Sequence, residues 1–164
     1  MKIQFKKLVP QAQKPKFGKP GDAGADLVAT SLDVSREDQI VYGTGLAVEI
    51  PEGMVGLIFP RSSVRNYDLI MSNCVGVIDS GYRGEIMVTF NVKMDLLLID
   101  ELASVENLQE LSNEMFDPSY DNIYEVGDRI AQLVIMPVPL VQFVEVEELS
   151  ETERNTSGHG STGN

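Results

Sequence analysis

Apolar and polar residues alternate along most of this chain, and a period of two is the mark of strands with one buried face. Ile3 and Phe5 begin the pattern, which gives way to a Lys/Pro/Gly-rich loop over residues 10–22. Leu46, Val48 and Ile50 alternate, the turn signal Pro51-Glu52-Gly53 follows, and Val55, Leu57 and Phe59 alternate again, which predicts a β-hairpin. Ile86, Val88 and Phe90 repeat the period. Ile130, Leu133, Val134, Ile135 and Val138 predict a buried strand, ended by Pro137 and Pro139 at a bend or sheet edge. Short strands punctuated by Gly and Pro predict an all-β barrel or sandwich. One segment departs from this. Leu98, Leu102, Val105, Leu108 and Leu111 recur at helical spacing with acids between them, predicting an amphipathic helix over 98–114, with Asn113 and Pro118 as stop signals.

Length and charge narrow the picture. A chain of 164 residues holds one domain with a real core and is short for two. No apolar run is long enough to span a bilayer, and the basic start MKIQFKKLVPQAQKPKF lacks the apolar core of a signal peptide, so no membrane partner is expected. The single cysteine, Cys74, cannot form an internal disulfide, which fits a reducing, cytoplasmic setting. A net charge of -12 disfavours nucleic acid. Its distribution matters more. Asp95 to Asp128 holds 10 acids and no Lys or Arg, and Glu145 to Glu153 holds 5 more. These 15 of the 25 acids leave 10 against 13 basic residues elsewhere, a body able to hold a small phosphorylated ligand with a divalent cation.

Five stretches carry candidate chemistry. AGAD (23–26) sets a carboxylate after a flexible turn. PRSSV (60–64) joins a guanidinium fork to two hydroxyls, which suits phosphate oxygens, although Arg-Ser pairs after proline are also ordinary turn residues. GVIDSGYRGE (76–85) spends three glycines, two carboxylates, a tyrosine and an arginine where a packing strand would alternate, as if the chain turned sharply or let something approach its backbone. GDRIAQLV (127–134) places the Gln132 amide among apolar neighbours, where it needs a backbone or ligand partner. GHGSTG (158–163) has the glycines and hydroxyls of a phosphate loop without the lysine of a P-loop. His159 is the only histidine, which argues against zinc; a flat ring between glycines suits stacking on a base.

In this order and at these separations, AGAD, PRSSV, GVIDSGYRGE, GDRIAQLV and RNTSGHGSTG resemble the five motifs of the trimeric dUTPase family (dUTP nucleotidohydrolases). The resemblance runs from about residue 20 to the C-terminus, apart from the acidic segment of about 95–122. It implies a jelly-roll-like β-barrel over residues 1–150 that forms a homotrimer, and a flexible arm, 151–164, that closes over a neighbouring subunit's site. It implies hydrolysis of dUTP to dUMP and pyrophosphate, which keeps uracil out of DNA and supplies dUMP for thymidylate synthesis. By position, Asp79 matches the general base that orients the attacking water. Tyr82 matches the ring packed under the sugar. Asn73 shapes the uracil pocket, and Val77, Ile78 and Met87 line it. Arg61, Ser62, Ser63 and Gln132 match phosphate ligands, as do Arg154, Ser161 and Thr162 of the arm, with His159 and Gly160 closing over the nucleotide. Asp26 matches the carboxylate that holds Mg²⁺ through water, a role suited to an ion that dehydrates reluctantly.

Two departures stand out. The arm carries His159 where the family usually has phenylalanine, and Asn155 and Ser157 where it has glycine. The segment of about 95–122 replaces a shorter connection. A dCTP deaminase of the same superfamily shares the Arg-Ser-Ser stretch and the trimeric barrel, but the IDSGYRGE pattern follows the hydrolase version. A third reading is an interaction protein, with a regulatory protein bound through the acidic insert, its own alternative being a solvated helix packed on the barrel.

Overall fold

The computed structural model describes residues 1–36, 38–93 and 122–156. Their strands are β1 (Gln4–Lys7), β2 (Ala25–Val28), β3 (Ser31–Arg36), β4 (Gln39–Gly43), β5 (Leu46–Glu49), β6 (Met54–Pro60), β7 (Leu69–Met71), β8 (Gly76–Ile78), β9 (Met87–Val92) and β10 (Arg129–Pro137). They form two four-stranded sheets, ordered β2-β10-β6-β8 and β3-β4-β9-β7, and a two-stranded sheet, β1-β5. The all-β expectation is met: among the described residues, helical conformation is confined to a 3₁₀ turn, Ser62–Asn66, and to Asn122. No ladder among them joins the three sheets into a closed ring, so the architecture described is one of open sheets around a shared core, where a barrel was expected. The helix expected over 98–114 lies outside the described residues.

Alternation works as predicted on β9. Val88, Phe90 and Val92 are buried while Met87 is exposed, and Ile86 just before the strand is buried too. Opposite Phe90, Ile40 and Tyr42 of β4 face the same core. Phe90, Tyr42 and Tyr124 meet edge to face, with ring centroids 5.7–6.3 Å apart, the arrangement that aromatic quadrupoles favour. Each such fully buried side chain contributes about 1.5–3 kcal/mol of apolar transfer.

The predicted hairpin over residues 46–59 does not form. Its turn is present, with Gly53 at φ +75° and the Met54 amide donating to the Pro51 carbonyl at 3.1 Å. Yet β5 pairs with β1, and β6 pairs with β10 and β8. Alternation fixes which residues share a face; it does not choose the partner strand. On β6 the face is inverted as well: Gly56 and Ile58 are buried, and Val55, Leu57 and Phe59 are half-buried on the outer side. On β10, Ile130 and Leu133 are buried as expected, Val134 and Ile135 are half-buried, and Val138 is exposed beyond the strand end.

The junction between β4 and β5 holds the loop of the third motif. Gly45 sits at φ +64° with Val9 and Ala12 packed where a side chain would go, so only glycine fits. Its amide donates to Glu85 Oε1 at 2.7 Å, and the buried Thr44 hydroxyl donates to the Ile86 carbonyl at 2.7 Å. Glu85 and Ile86 are thereby fixed to the core, which orients residues 79–84 outward.

Candidate active site

Three of the five motifs converge on Asp26. The β10–β2 ladder sets Gln132 opposite Asp26, and the β10–β6 ladder sets Gln132 opposite Phe59, two residues before Arg61. Asp26 is 7% exposed. Its Oδ1 accepts from Arg61 Nε at 2.9 Å and from Gln132 Nε2 at 3.2 Å, and its Oδ2 accepts from Arg129 Nη1 at 3.2 Å. A buried carboxylate thus holds two guanidinium groups and an amide in place, a charge-assisted arrangement. Gly24 leaves room for this: a Cβ there would press on the Gln132 side chain at 3.0 Å.

Ser63 belongs to the same cluster. Arg61 Nη1 donates to its Oγ at 3.3 Å, and the Tyr124 hydroxyl lies 3.3 Å away on the other side. Ser62 is exposed beside it at the start of the 3₁₀ turn. Burial pushes the Tyr124 phenol above its ordinary range, and the Tyr42 phenol further still, so both remain protonated through the neutral range. Arg129 and Tyr124 were missed by the sequence reading. Arg129 lies inside a quoted motif and could have been named; Tyr124 lay in no motif, and only the fold brings it to Ser63.

The third motif builds a separate groove. A cavity of about 330 Å³ opens between β8 and β9, lined by Asn73, Gly76, Val77, Ile78 and Met87, with Gln39, Ser72 and Thr89 among its further walls. Next to it a smaller hollow of about 180 Å³ is lined by Asp79, Tyr82, Glu85, Val77, Ile78 and Met87. Asp79 is exposed at the mouth, and its carbonyl accepts from the Tyr82 amide at 3.0 Å, closing a turn. Tyr82 donates its hydroxyl proton to the Glu85 carbonyl at 2.9 Å, which folds the ring back over Gly84. A Cβ at Gly84 would overlap the phenol. Gly76 is needed for packing on Ile58, whereas nothing lies within 4 Å of a Cβ at Gly81.

The two centres are apart. β8 pairs with Gly56–Ile58 of β6, while Arg61 follows that strand after Pro60, so about 10–16 Å of strand separates the groove from Arg61. The chain therefore gathers Asp26, Arg61, Ser63 and Gln132 in one place and Asn73, Val77, Ile78, Asp79, Tyr82 and Met87 in another.

Of the arm, Arg154 is described and exposed. Around it, the Thr152 amide donates to Asn155 Oδ1 at 2.7 Å and the Asn155 amide donates to Thr152 Oγ1 at 3.0 Å. Asn155 has φ +40°, in the left-handed region that asparagine tolerates best after glycine. This accounts for Asn at a position where glycine was the expected residue. His159, Gly160, Ser161 and Thr162 lie outside the described residues. Among the described residues, no three His, Cys, Asp or Glu side chains are grouped to hold a metal ion.

Comparison with known proteins agrees with the motif reading. The dUTPase family model matches residues 11–99 and 115–163. The deoxyuridine 5'-triphosphate nucleotidohydrolase of Nocardia farcinica is 40% identical over 163 residues, covering 98% of this chain and 85% of that protein. That of Corynebacterium diphtheriae is 40% identical over 163 residues, covering 98% and 92%. Among solved structures, the Staphylococcus bacteriophage 80alpha dUTPase with dUPNHPP superposes with a TM-score of 0.75 at 28% identity, covering 99% of this chain and 98% of that one. That structure belongs to work on phage dUTPases that control transfer of virulence genes by a proto-oncogenic G protein-like mechanism. With a family match over most of its length and relatives at this identity across nearly all of it, the chain belongs to the dUTPase family.

Proposed function

We propose that the protein hydrolyses dUTP to dUMP and pyrophosphate by water attack on the α-phosphorus, in a site completed between copies of a homotrimer. The observation that carries this is the division of labour just described: a groove with a carboxylate at its mouth, and a separate cluster of guanidinium, hydroxyl and amide donors. The groove suits uracil and deoxyribose, with backbone groups of residues 76–78 available to the base edge. Tyr82, held by its bond to the Glu85 carbonyl, suits a sugar without a 2′-OH. Asp79 takes a proton from the attacking water, and Arg61, Ser62, Ser63 and Gln132 disperse the charge that moves to the pyrophosphate.

Because these parts lie at different levels along β6, a second copy is the natural means of joining them. The outer face of that sheet supports this reading. Val55, Leu57 and Phe59 are half-buried there, next to Val77 and Met136, which are 63% and 46% exposed. Beyond β10, Leu140 and Phe143 are 91% and 95% exposed. So much large apolar surface is unusual on a protein that stays monomeric. On this reading the residues that lead into the arm, from about 138 to 150, would be covered by a neighbouring copy as well.

The dUTPase family generally uses a divalent metal. Three of the four acceptor positions of Asp26 are taken, and two guanidinium groups already balance its charge, so direct coordination does not fit. The remaining Oδ2 position fits contact through water, with Mg²⁺ carried by the triphosphate. Bound so, the ion would supply charge neutralisation on the phosphates.

A pyrophosphate-release assay across dUTP, dTTP, dCTP and UTP tests the proposal. dUTP is expected to turn over far faster than the others; comparable dTTP turnover would refute the pocket assignment, and ammonia release with formation of dUTP from dCTP, followed in a separate assay, would favour the deaminase. A second reading adds a regulatory protein bound through the segment of about 95–122. It is favoured by the break in the family match at residues 100–114. Replacing 97–119 with a Gly/Ser linker tests it: a regulator that still binds the replaced trimer refutes this reading, whatever the turnover.

A further inference from the structure

We propose that Tyr124 is a positioning residue that orients the Ser63 hydroxyl toward the triphosphate, an inference that rests on the reading of Arg61 and Ser63 as phosphate ligands. Tyr124 is 1% exposed, and a buried phenol must place its proton on an acceptor. Among the described residues, the partner of that hydroxyl is Ser63 Oγ. Were Ser63 the donor, the phenol proton would be left without a partner in the core, at the cost of an unsatisfied buried group. The phenol is therefore the donor. Arg61 Nη1 also donates to Ser63 Oγ, and a guanidinium has no other choice. Both lone pairs of the serine oxygen are then occupied, and its single proton points away from the two donors. What remains for it is an acceptor, and an anionic oxygen on the open side of the cluster meets that need. Two donors thus turn a freely rotating hydroxyl into one that gives its proton outward.

The phenol is itself fixed. The Tyr42 hydroxyl donates to the Tyr124 carbonyl at 2.8 Å, and the Tyr124 ring packs on Tyr67 with centroids 4.1 Å apart. Tyr67 and Asp68 are braced in turn by the residues on either side of the undescribed stretch 94–121. Lys93 Nζ donates to the Tyr67 carbonyl at 2.8 Å, and Asn122 Nδ2 donates to Asp68 Oδ2 at 3.1 Å. The Asp68 amide donates to the Asn122 carbonyl at 2.9 Å. The distance of 3.3 Å from Tyr124 to Ser63 is long for two hydroxyls, and leaves room for tightening when a ligand draws on the serine proton.

The test uses the full chain with Tyr124→Phe, Ser63→Ala and the double variant. Tyr124→Phe keeps the ring and its packing and loses only the donor. It is expected to lower kcat/KM for dUTP, and affinity for a non-hydrolysable imido analogue, about three- to tenfold, the equivalent of one neutral hydrogen bond. Inhibition by deoxyuridine, which has no phosphate, is expected to stay unchanged. In the Ser63→Ala background, Tyr124→Phe should cost nothing further. The proposal is overturned if Ser63→Ala is impaired while Tyr124→Phe is not, if the two losses add, or if deoxyuridine inhibition weakens in parallel. If Ser63→Ala has wild-type activity and affinity, the phosphate-ligand reading itself falls, and this one with it.

Discussion

Replacing Asp26 with asparagine removes the charge on which two guanidinium groups close. The amide oxygen can still accept from Arg61 and Gln132, but the amide nitrogen then faces Arg129 Nη1, donor against donor. The loss with Arg61, which is only 20% exposed, is the difference between a charge-assisted and a neutral hydrogen bond, about 1 kcal/mol. Arg129 is 58% exposed, so water screens that pair and its loss costs at most about 1 kcal/mol. Together the substitution should cost about 2 kcal/mol, which for a domain of this size lowers Tm by about 4–8 °C. The assay is a thermal melt at fixed protein concentration, because assembly makes Tm concentration-dependent. It is run with nucleotide and Mg²⁺ absent, so that Asp26 is judged as the anchor of the cluster. A Tm unchanged under those conditions, with a shift only when Mg²⁺ and nucleotide are added, would refute the anchoring argument and leave Asp26 with a metal role alone.

Asp79→Asn should lower turnover by roughly 10²- to 10⁴-fold while preserving affinity for the imido analogue of dUTP; near wild-type turnover would show that another group activates the water. Gly84→Ala should lower kcat/KM for dUTP without unfolding the protein, because its Cβ displaces the Tyr82 ring, and faster UTP turnover relative to dUTP is the result that would tie that ring to sugar selectivity. Stability should hold below about pH 10 and fall above it, since phenols ionise there in the unfolded chain while burial holds Tyr42 and Tyr124 protonated in the folded one. Denaturant melts from pH 8 to 11 check this, and Tyr42→Phe should flatten the alkaline fall.

Period-two alternation was enough to read the strand through Ile86, Val88 and Phe90 and its buried face, because hydrophobic burial on a pleated surface is a local matter. It was also enough to recognise the all-β class, and the order and spacing of five short motifs were enough to point to the family. Partner choice was not legible. The turn at 51–53 is real, yet β5 and β6 go to different sheets, because pairing is decided by strands as distant as β1 and β10. Nor did the sequence tell the inner face of β6 from the outer, since both are apolar: the tertiary structure put Gly56 and Ile58 inward and left Val55, Leu57 and Phe59 for another surface to cover. The site shows the same division. Residue types at motif positions revealed which groups carry chemistry. Only the three-dimensional arrangement made Asp26 the hub of two arginines, brought Tyr124 from outside every motif to Ser63, and set the groove and the arginine cluster at different levels of one strand. Side-chain chemistry is written locally, whereas hydrogen-bond geometry and distance depend on which remote strands the chain brings together.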